Sequence, residues 1–297
     1  MILVTGGYGF QGAMLVGILV QMGEKVLSVS RKPRSAKGFE SAVCDVRDKD
    51  SLVSLFDKYS ITSIVHLVSL LPTNTNNYPG QAIRINVVGT LHLLEISRER
   101  GIKRFIYGSS YNAVGYRPLN QCPIDENSEP TPNDFYGETK RFNEKLGISF
   151  NHLFGIEFVS ARMPILVGPG VPVKTSSWRT DIFNLIKSGG KINISFNPNE
   201  VIPIAHIRDT AEAIAQMVLA TSLKHNIYYT PSESMKVEKL GKFIKSINPS
   251  IKIKYGKKLL RDIPPKVDCS RIIKEFNLHP VSLFNRLKRH QENGDQN

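Results

Sequence analysis

The 297 residues carry 39 Lys and Arg against 26 Asp and Glu, a net charge of +13, and 41% of them are apolar, which is ordinary for a soluble protein with a proper core. No apolar run reaches the ~18 residues of a membrane span, so no membrane-spanning helix is expected. Cys44, Cys122 and Cys269 lie far apart with no metal or redox spacing, so no metal site is expected and the thiols read as reduced.

The chain opens with the apolar run Met1-Ile2-Leu3-Val4, fit for a buried parallel strand. A strand starting at Ile2 leaves no room for a leader peptide, and a cytoplasmic protein is expected. Thr5-Gly6-Gly7-Tyr8-Gly9-Phe10-Gln11-Gly12 follows, and then an apolar stretch from Ala13 to Val20. Strand, glycine turn and helix in that order are what a dinucleotide fingerprint requires. The glycines let backbone N–H groups approach a pyrophosphate, and the helix N-terminus favours its charge. Gly6, Gly9, Phe10, Gln11 and Gly12 are therefore candidate cofactor contacts; a tight turn without a ligand is the alternative. Gly23 suits the C-terminal end of this first helix.

The next strand, Lys25 to Ser30, ends where such folds place an acid for the adenosine ribose. Here Ser30 is followed by Arg31, then Lys32, Pro33 and Arg34. A serine with an arginine beside it suits a 2′-phosphate, so NADP is preferred over NAD, against the alternative of a solvated basic loop. Asp48 or Asp50 can cap a helix through Leu52–Phe56. Leu71 to Gly80, with two prolines and three asparagines, reads as a loop.

Further strand-like runs are Ser63–Leu67, Arg104–Tyr107 and Glu157–Ala161, alternating with helical patterns. The alternation predicts an α/β fold: a Rossmann-type, doubly wound parallel sheet. Arg117 to Asp134 holds four prolines and joins a Ser109-Ser110 turn to a helix, so it should wall the site. On that helix Tyr136 and Lys140 stand at i, i+4, on one face. A phenol, with a reference pKa of about 10, becomes a usable acid or base when a neighbouring ammonium stabilises its anion.

After Pro169 the pattern becomes irregular, with short elements mixed with prolines. This suits a small mixed α/β substrate-binding cap over the carboxyl ends of the strands. The expected division is a dinucleotide-binding domain over 1–169 plus 206–224, and a cap over 170–205 and 225–297. Asp209 to Thr221 should return as a helix with Ala213, Ile214, Met217 and Val218 on its apolar face. From Lys245 to Asn297 there are twelve Lys or Arg and five Asp or Glu. Three readings of that surplus stand: attraction of an anionic substrate, nucleic-acid binding, or a solvated surface. No aromatic-interleaved stripe supports nucleic acid.

In combination these segments resemble the extended short-chain dehydrogenase/reductase superfamily, often labelled NAD-dependent epimerase/dehydratase, from Ile2 to about Pro280. Asp45-Val46 resembles its adenine-contacting pair, and Ile64 to Ser69, with Leu67, Val68 and Ser69, the strand passing under the cofactor. Asn86 to Thr90 resembles its "NVxGT" helix, Phe105 to Ser110 its serine strand, and Arg162-Met163-Pro164 with Gly168-Pro169 the strand beside the nicotinamide. His206 to Asp209 resembles "HVxD".

The resemblance implies Tyr136 as acid/base, Lys140 on the nicotinamide ribose and lowering the tyrosine's pKa, and Ser110, rather than Ser109, on the substrate oxygen. It also implies that Asn86 and Pro164 border the cofactor, and that Tyr111, Ser177 and Arg261 touch substrate, with Lys174 or Arg179 as further cations for an anionic one. Ala113-Val114-Gly115 departs from the family's "VYG". The implied activity is a hydride transfer at a secondary alcohol or ketone of a polar, carbohydrate-like or hydroxy-acid small molecule. The alternatives are a nucleotide-sugar epimerase or dehydratase with retained NAD, and a non-catalytic NADP-binding regulator. A homodimer is implied through the helix Gln81–Ile96 and the tyrosine helix near Phe142–Ile148; no membrane or nucleic-acid partner is expected.

Overall fold

The computed structural model describes residues 1–170 and 176–293. In its first half, strands β1 (Ile2–Thr5), β2 (Val26–Ser30), β3 (Glu40–Val43), β4 (Ser63–His66) and β5 (Arg104–Ser110) alternate with helices α1 (Phe10–Gln21), α2 (Lys49–Lys58), α3 (Pro72–Asn77), α4 (Pro79–Ala82) and α5 (Gly89–Glu99). Helix α6 (Phe135–Phe154) precedes β6 (Glu157–Met163) and β7 (Ile165–Val167). Then come α7 (Trp178–Asn184), β8 (Gly190–Phe196), β9 (Val201–His206), α8 (Ile207–Leu219), β10 (Ile227–Tyr229), β11 (Glu233–Lys236), α9 (Val237–Ile247), β12 (Ile251–Lys258), α10 (Ser270–Glu275) and α11 (Leu283–Asn293).

The central sheet runs β10-β6-β5-β4-β1-β2-β3, and every pairing is parallel. β1 is buried along its whole length, as a strand covered by helices on both faces must be. The strand order reverses between β1 and β4, and such a switch point opens a crevice at the strands' carboxyl ends. A three-stranded sheet, β11-β9-β7, and a parallel pair, β12-β8, extend past that edge.

Local chemistry sets the element ends. Asp48 caps α2, its carboxylate accepting from the Ser51 N–H at 3.1 Å. Asp134 caps α6 and Gly155 ends it in the left-handed conformation. Gly6 sits at φ +76°, where a side chain would be strained, and a Cβ on Gly12 would collide with the Gly6 carbonyl. Both glycines are needed for α1 to start flush against β1. Helix α8 buries Ala213, Ile214, Met217 and Val218 and packs on α1.

Four features depart from the sequence reading. Glu40–Val43 forms a strand at the sheet edge, where only part of each side chain is covered and the apolar signal is faint. Leu71 to Gly80 contains α3, started by Pro72 in its first turn, where a missing N–H costs nothing. Pro79 to Glu99 is one helical run with a π-helical stretch over Ile83–Val88. Ile227–Tyr229, within the segment assigned to the cap, pairs with β6 at the edge of the central sheet.

Candidate active site

A cleft of about 450 Å³ opens at the switch point. Its floor is Gly6, Gly9, Phe10, Gln11 and Gly12 from the glycine loop, with Leu67 and Ser69 after β4. Ser109, Ser110 and Asn112 from the end of β5 face Tyr136 and Lys140 from α6. Met163, Pro164, Ile165 and Leu166 form a side wall, and Ser176, Arg179, Ser195, Phe196, Lys258 and Asp262 close the top. The sequence thus named the floor and the Ser110–Tyr136–Lys140 face, and missed most of the top.

Tyr136 and Lys140 share the inward face of α6 and are both buried. Burial pushes the Tyr136 phenol up to about 12; hydrogen bonding to Ser69 and Ser110 pulls it back, and the Arg179 charge does the same. Burial pushes Lys140 down to about 7, against the pull of the Glu144 carboxylate. The Lys140 ammonium donates to the Gly108 carbonyl at 2.7 Å and lies 4.7 Å from the Tyr107 ring centre and 5.5 Å from that of Tyr136. Its charge therefore meets the tyrosine over the ring face.

The two serines have different surroundings. Ser109 donates to Glu144 Oε1 at 2.7 Å, and Arg162 grips the same carboxylate at 3.0 and 2.8 Å. Glu144 and Arg162 are 3% and 1% exposed, so this pair sits in the core and ties α6, β5 and β6 together beneath the site. Ser110 donates to Asn112 Oδ1 at 2.9 Å, and Asn112 donates to the capping Asp134 at 2.7 Å. That chain fixes the serine turn against the start of the tyrosine helix. Asn112 carries no motif signal of its own, since only the turn over Tyr111–Ala113 brings it inward.

Several named residues act behind the cleft. Asn86 accepts from the Leu70 N–H at 2.7 Å and returns a bond to the Leu70 carbonyl, pinning the loop after β4. Val68 donates its N–H to Thr5 Oγ1 at 3.4 Å. Val46 is buried. Asp45 is ion-paired with Arg47 at 2.6 Å, and that hydrogen-bonded partner holds its carboxyl below the usual range. Ser30 donates to the Lys32 carbonyl at 2.5 Å, and Arg31 is exposed beside it.

Three expected substrate contacts are not brought into the cleft. Tyr111 points into the core, its hydroxyl donating to the Thr230 carbonyl at 3.1 Å and meeting Ser232 Oγ at 2.9 Å. The helical turn that follows Ser110 carries that side chain under the site rather than over it. Ser177 is exposed at the start of α7, and its neighbour Ser176 lines the cleft instead. Arg261 turns outward, 56% exposed, 3.6 Å from Glu200 and stacked 5.2 Å from the Tyr116 ring centre. Lys174 lies outside the described residues.

Two charged groups take the place that Arg261 was expected to fill. Arg179 lines the cleft with its Nε buried and without a partner among the described residues. Burial lowers its pKa, while the facing Tyr136 and Asp262 raise it. Asp262 accepts from Lys258 at 3.3 Å through one oxygen; the other, Oδ1, is buried without a partner among the described residues. The face thus carries a buried tyrosine flanked by a serine, a cation and an anion. No group of His, Cys, Asp and Glu among the described residues is placed to hold a metal ion, and no described helix is long and apolar enough to cross a membrane.

The sequence profile of the NAD dependent epimerase/dehydratase family matches residues 2–229. A putative UDP-glucose 4-epimerase of Methanocaldococcus jannaschii is 30% identical over 221 residues, 72% of this chain and 72% of its own. The solved L-threonine dehydrogenase from Clostridium difficile superposes with a TM-score of 0.86 at 25% identity, covering 99% of this chain and 98% of its own. The Thermus thermophilus UDP-glucose 4-epimerase, solved in complex with NAD, superposes with a TM-score of 0.83 at 19% identity over 99% of both chains, a likeness of fold. With the glycine loop, the switch-point cleft and this match, the chain belongs to the NAD dependent epimerase/dehydratase family, as a nicotinamide-dependent enzyme of the extended short-chain dehydrogenase/reductase type.

Proposed function

We propose that the protein is a dehydrogenase for the secondary alcohol of a small hydroxy acid, using NADP in preference to NAD. One observation carries the substrate class. Arg179 Nε and Asp262 Oδ1 are buried without partners among the described residues, and both residues line the cleft that holds Tyr136. A buried polar atom of a charged group costs free energy when it is left unbonded, even though Asp262 pairs with Lys258 through its other oxygen. A substrate carboxylate answers the arginine, and an ammonium on the same molecule answers the aspartate. A 3-hydroxy-2-amino acid satisfies both; a plain hydroxy acid satisfies the first. The likeness to an L-threonine dehydrogenase supports this reading. Arg261, the residue expected to grip a diphosphate, does not line the cleft.

The residues present fit a dinucleotide. The glycine loop gives backbone approach at the N-terminus of α1, and Gln11 keeps in the cleft a buried carboxamide without a partner among the described residues. Ser30 offers no carboxylate to repel a 2′-phosphate, and Arg31 beside it can pair with one. When bound, the oxidised nicotinamide ring supplies the hydride acceptor. Ser110 holds the substrate hydroxyl, and Tyr136 takes its proton as the carbinol carbon gives up its hydride, leaving a ketone. Lys140 lies over the Tyr136 ring and stabilises the phenolate form. Arg179 and Asp262 fix the acid so that one face of the carbinol carbon is presented.

Ile83, Phe142 and Leu153 are exposed along the Pro79–Glu99 helical run and α6, and we propose these helices as a homodimer contact. The test of function is incubation with NADP or NAD and a panel of hydroxy acids, 3-hydroxy-2-amino acids, sugar acids and nucleotide sugars. Net reduced nicotinamide with the small acids is expected. Isomerised nucleotide sugar without net reduction would replace this reading by an epimerase, and no turnover of any panel member would favour a non-catalytic regulator.

A further inference from the structure

Gln11 is the second residue of α1 and is only 9% exposed, yet neither its Nε2 nor its Oε1 has a hydrogen-bond partner among the described residues. A buried carboxamide is ordinarily paired, because each unmet donor or acceptor has given up water for nothing. Both atoms are in a residue that lines the cleft. Its direction follows from helix geometry. Met14, one turn on and on the same face, packs against the cluster of Leu166, Ala205 and Ile207, and Leu166 walls the cleft beside Pro164. Gln11 therefore faces the end of the cleft shared with Tyr136, away from Ser30 and Arg31 at the end of β2.

We propose that the Gln11 carboxamide hydrogen-bonds the carboxamide of the nicotinamide ring and so selects which ring face is turned toward Tyr136. The pattern of unmet atoms favours this group over the diphosphate. A phosphate oxygen only accepts; it would answer Nε2 and leave Oε1 unmet. A primary carboxamide donates and accepts, and two of them laid side by side satisfy all four groups with two parallel bonds. The inference rests on the nicotinamide reading under Proposed function.

The test is calorimetric binding of four ligands to wild type and to Gln11→Leu: NADPH, NADH, 2′-phospho-ADP-ribose, and the dinucleotide whose nicotinamide carboxamide is replaced by an acetyl group. Wild type should prefer the carboxamide over the acetyl dinucleotide, and Gln11→Leu should weaken the tighter natural dinucleotide by about tenfold. The variant should bind 2′-phospho-ADP-ribose as wild type does and treat the carboxamide and acetyl forms alike. Equal losses for 2′-phospho-ADP-ribose would assign the amide to the diphosphate and overturn the proposal. Unchanged binding of every ligand would overturn it too. Should Gln11→Leu not fold, wild type decides alone: equal affinity for the carboxamide and acetyl forms rejects the pairing. Failure of wild type to bind any dinucleotide overturns the nicotinamide reading as well, whereas intact wild-type binding with an unaffected variant overturns only the role of Gln11.

Discussion

Replacing Arg179 by Met separates the two arginines between which the substrate anion has to choose. Arg179 lines the cleft with a shielded Nε, and its charge acts on Tyr136. Arg261 is 56% exposed and is already engaged by Glu200 and the Tyr116 ring. A hydrogen bond to a charged group is worth about 1.5–3 kcal/mol, so Arg179→Met should lower kcat/KM for a carboxylate substrate by roughly 10–100-fold. An exposed ion pair is worth about 0–1 kcal/mol, so Arg261→Ala should change the same constant by a few-fold at most. Binding of NADP should stay constant in both variants. Because Met keeps the aliphatic volume and removes a shielded, unmet N–H, the melting temperature of Arg179→Met should hold or rise. Steady-state kinetics over a substrate series, with a thermal melt of each variant, measures all of this. A wild-type kcat/KM in Arg179→Met, or a larger loss in Arg261→Ala, refutes the reasoning and moves the carboxylate site outward.

Four further outcomes follow from the same geometry. Tyr136→Phe should lose roughly 10²–10⁴-fold in turnover with cofactor affinity kept, and a variant above about a tenth of wild type removes Tyr136 as the acid/base. Arg31→Ala should weaken NADP by about tenfold and leave NAD unchanged, as comparative titration will show; equal losses make the arginine structural. Lys140 titrates near 7 in the folded protein and higher when unfolded, so between those values the unfolded chain binds the extra proton and stability rises with pH. Denaturation at pH 7 and pH 9 should show that rise in wild type and a smaller one in Lys140→Met; an identical rise argues against a depressed lysine. Phe142, 54% exposed on α6, should seat against a second copy, so Phe142→Asp should shift the sedimentation coefficient from dimer to monomer, and a monomeric wild type contradicts the contact.

The alternation of apolar runs and helical periods carried the central sheet, because strands buried on both faces read as continuous apolar segments. Glu40–Val43 did not, since an edge strand buries only part of each side chain. The glycine loop, Ser110, Tyr136 and Lys140 were legible because their backbone and helical spacing are local. At the top of the cleft only Arg179 was named, as one of three candidate cations. Arg179, Lys258 and Asp262 come from separate segments, and which way each points depends on how α7 and β12 pack rather than on sequence spacing. The Leu260-Arg261-Asp262 run shows the difficulty: it follows β12 in an irregular stretch that bends at Asp262, and no repeat in the sequence foretells that the arginine is exposed while the aspartate lines the cleft. Gln11 was legible as part of the loop, but its unmet carboxamide is visible only once its surroundings are known.

The most direct test of the account follows one hydrogen. The substrate is a 3-hydroxy-2-amino acid deuterated at the carbinol carbon, mixed with oxidised cofactor and protein and read by mass spectrometry. Transfer of the label to released, reduced cofactor with formation of the ketone is the predicted result, and Arg179→Met should slow it. If the small acid is never oxidised, while a deuterated nucleotide sugar inverts at its labelled carbon and keeps its label with no reduced cofactor released, the dehydrogenase assignment is contradicted.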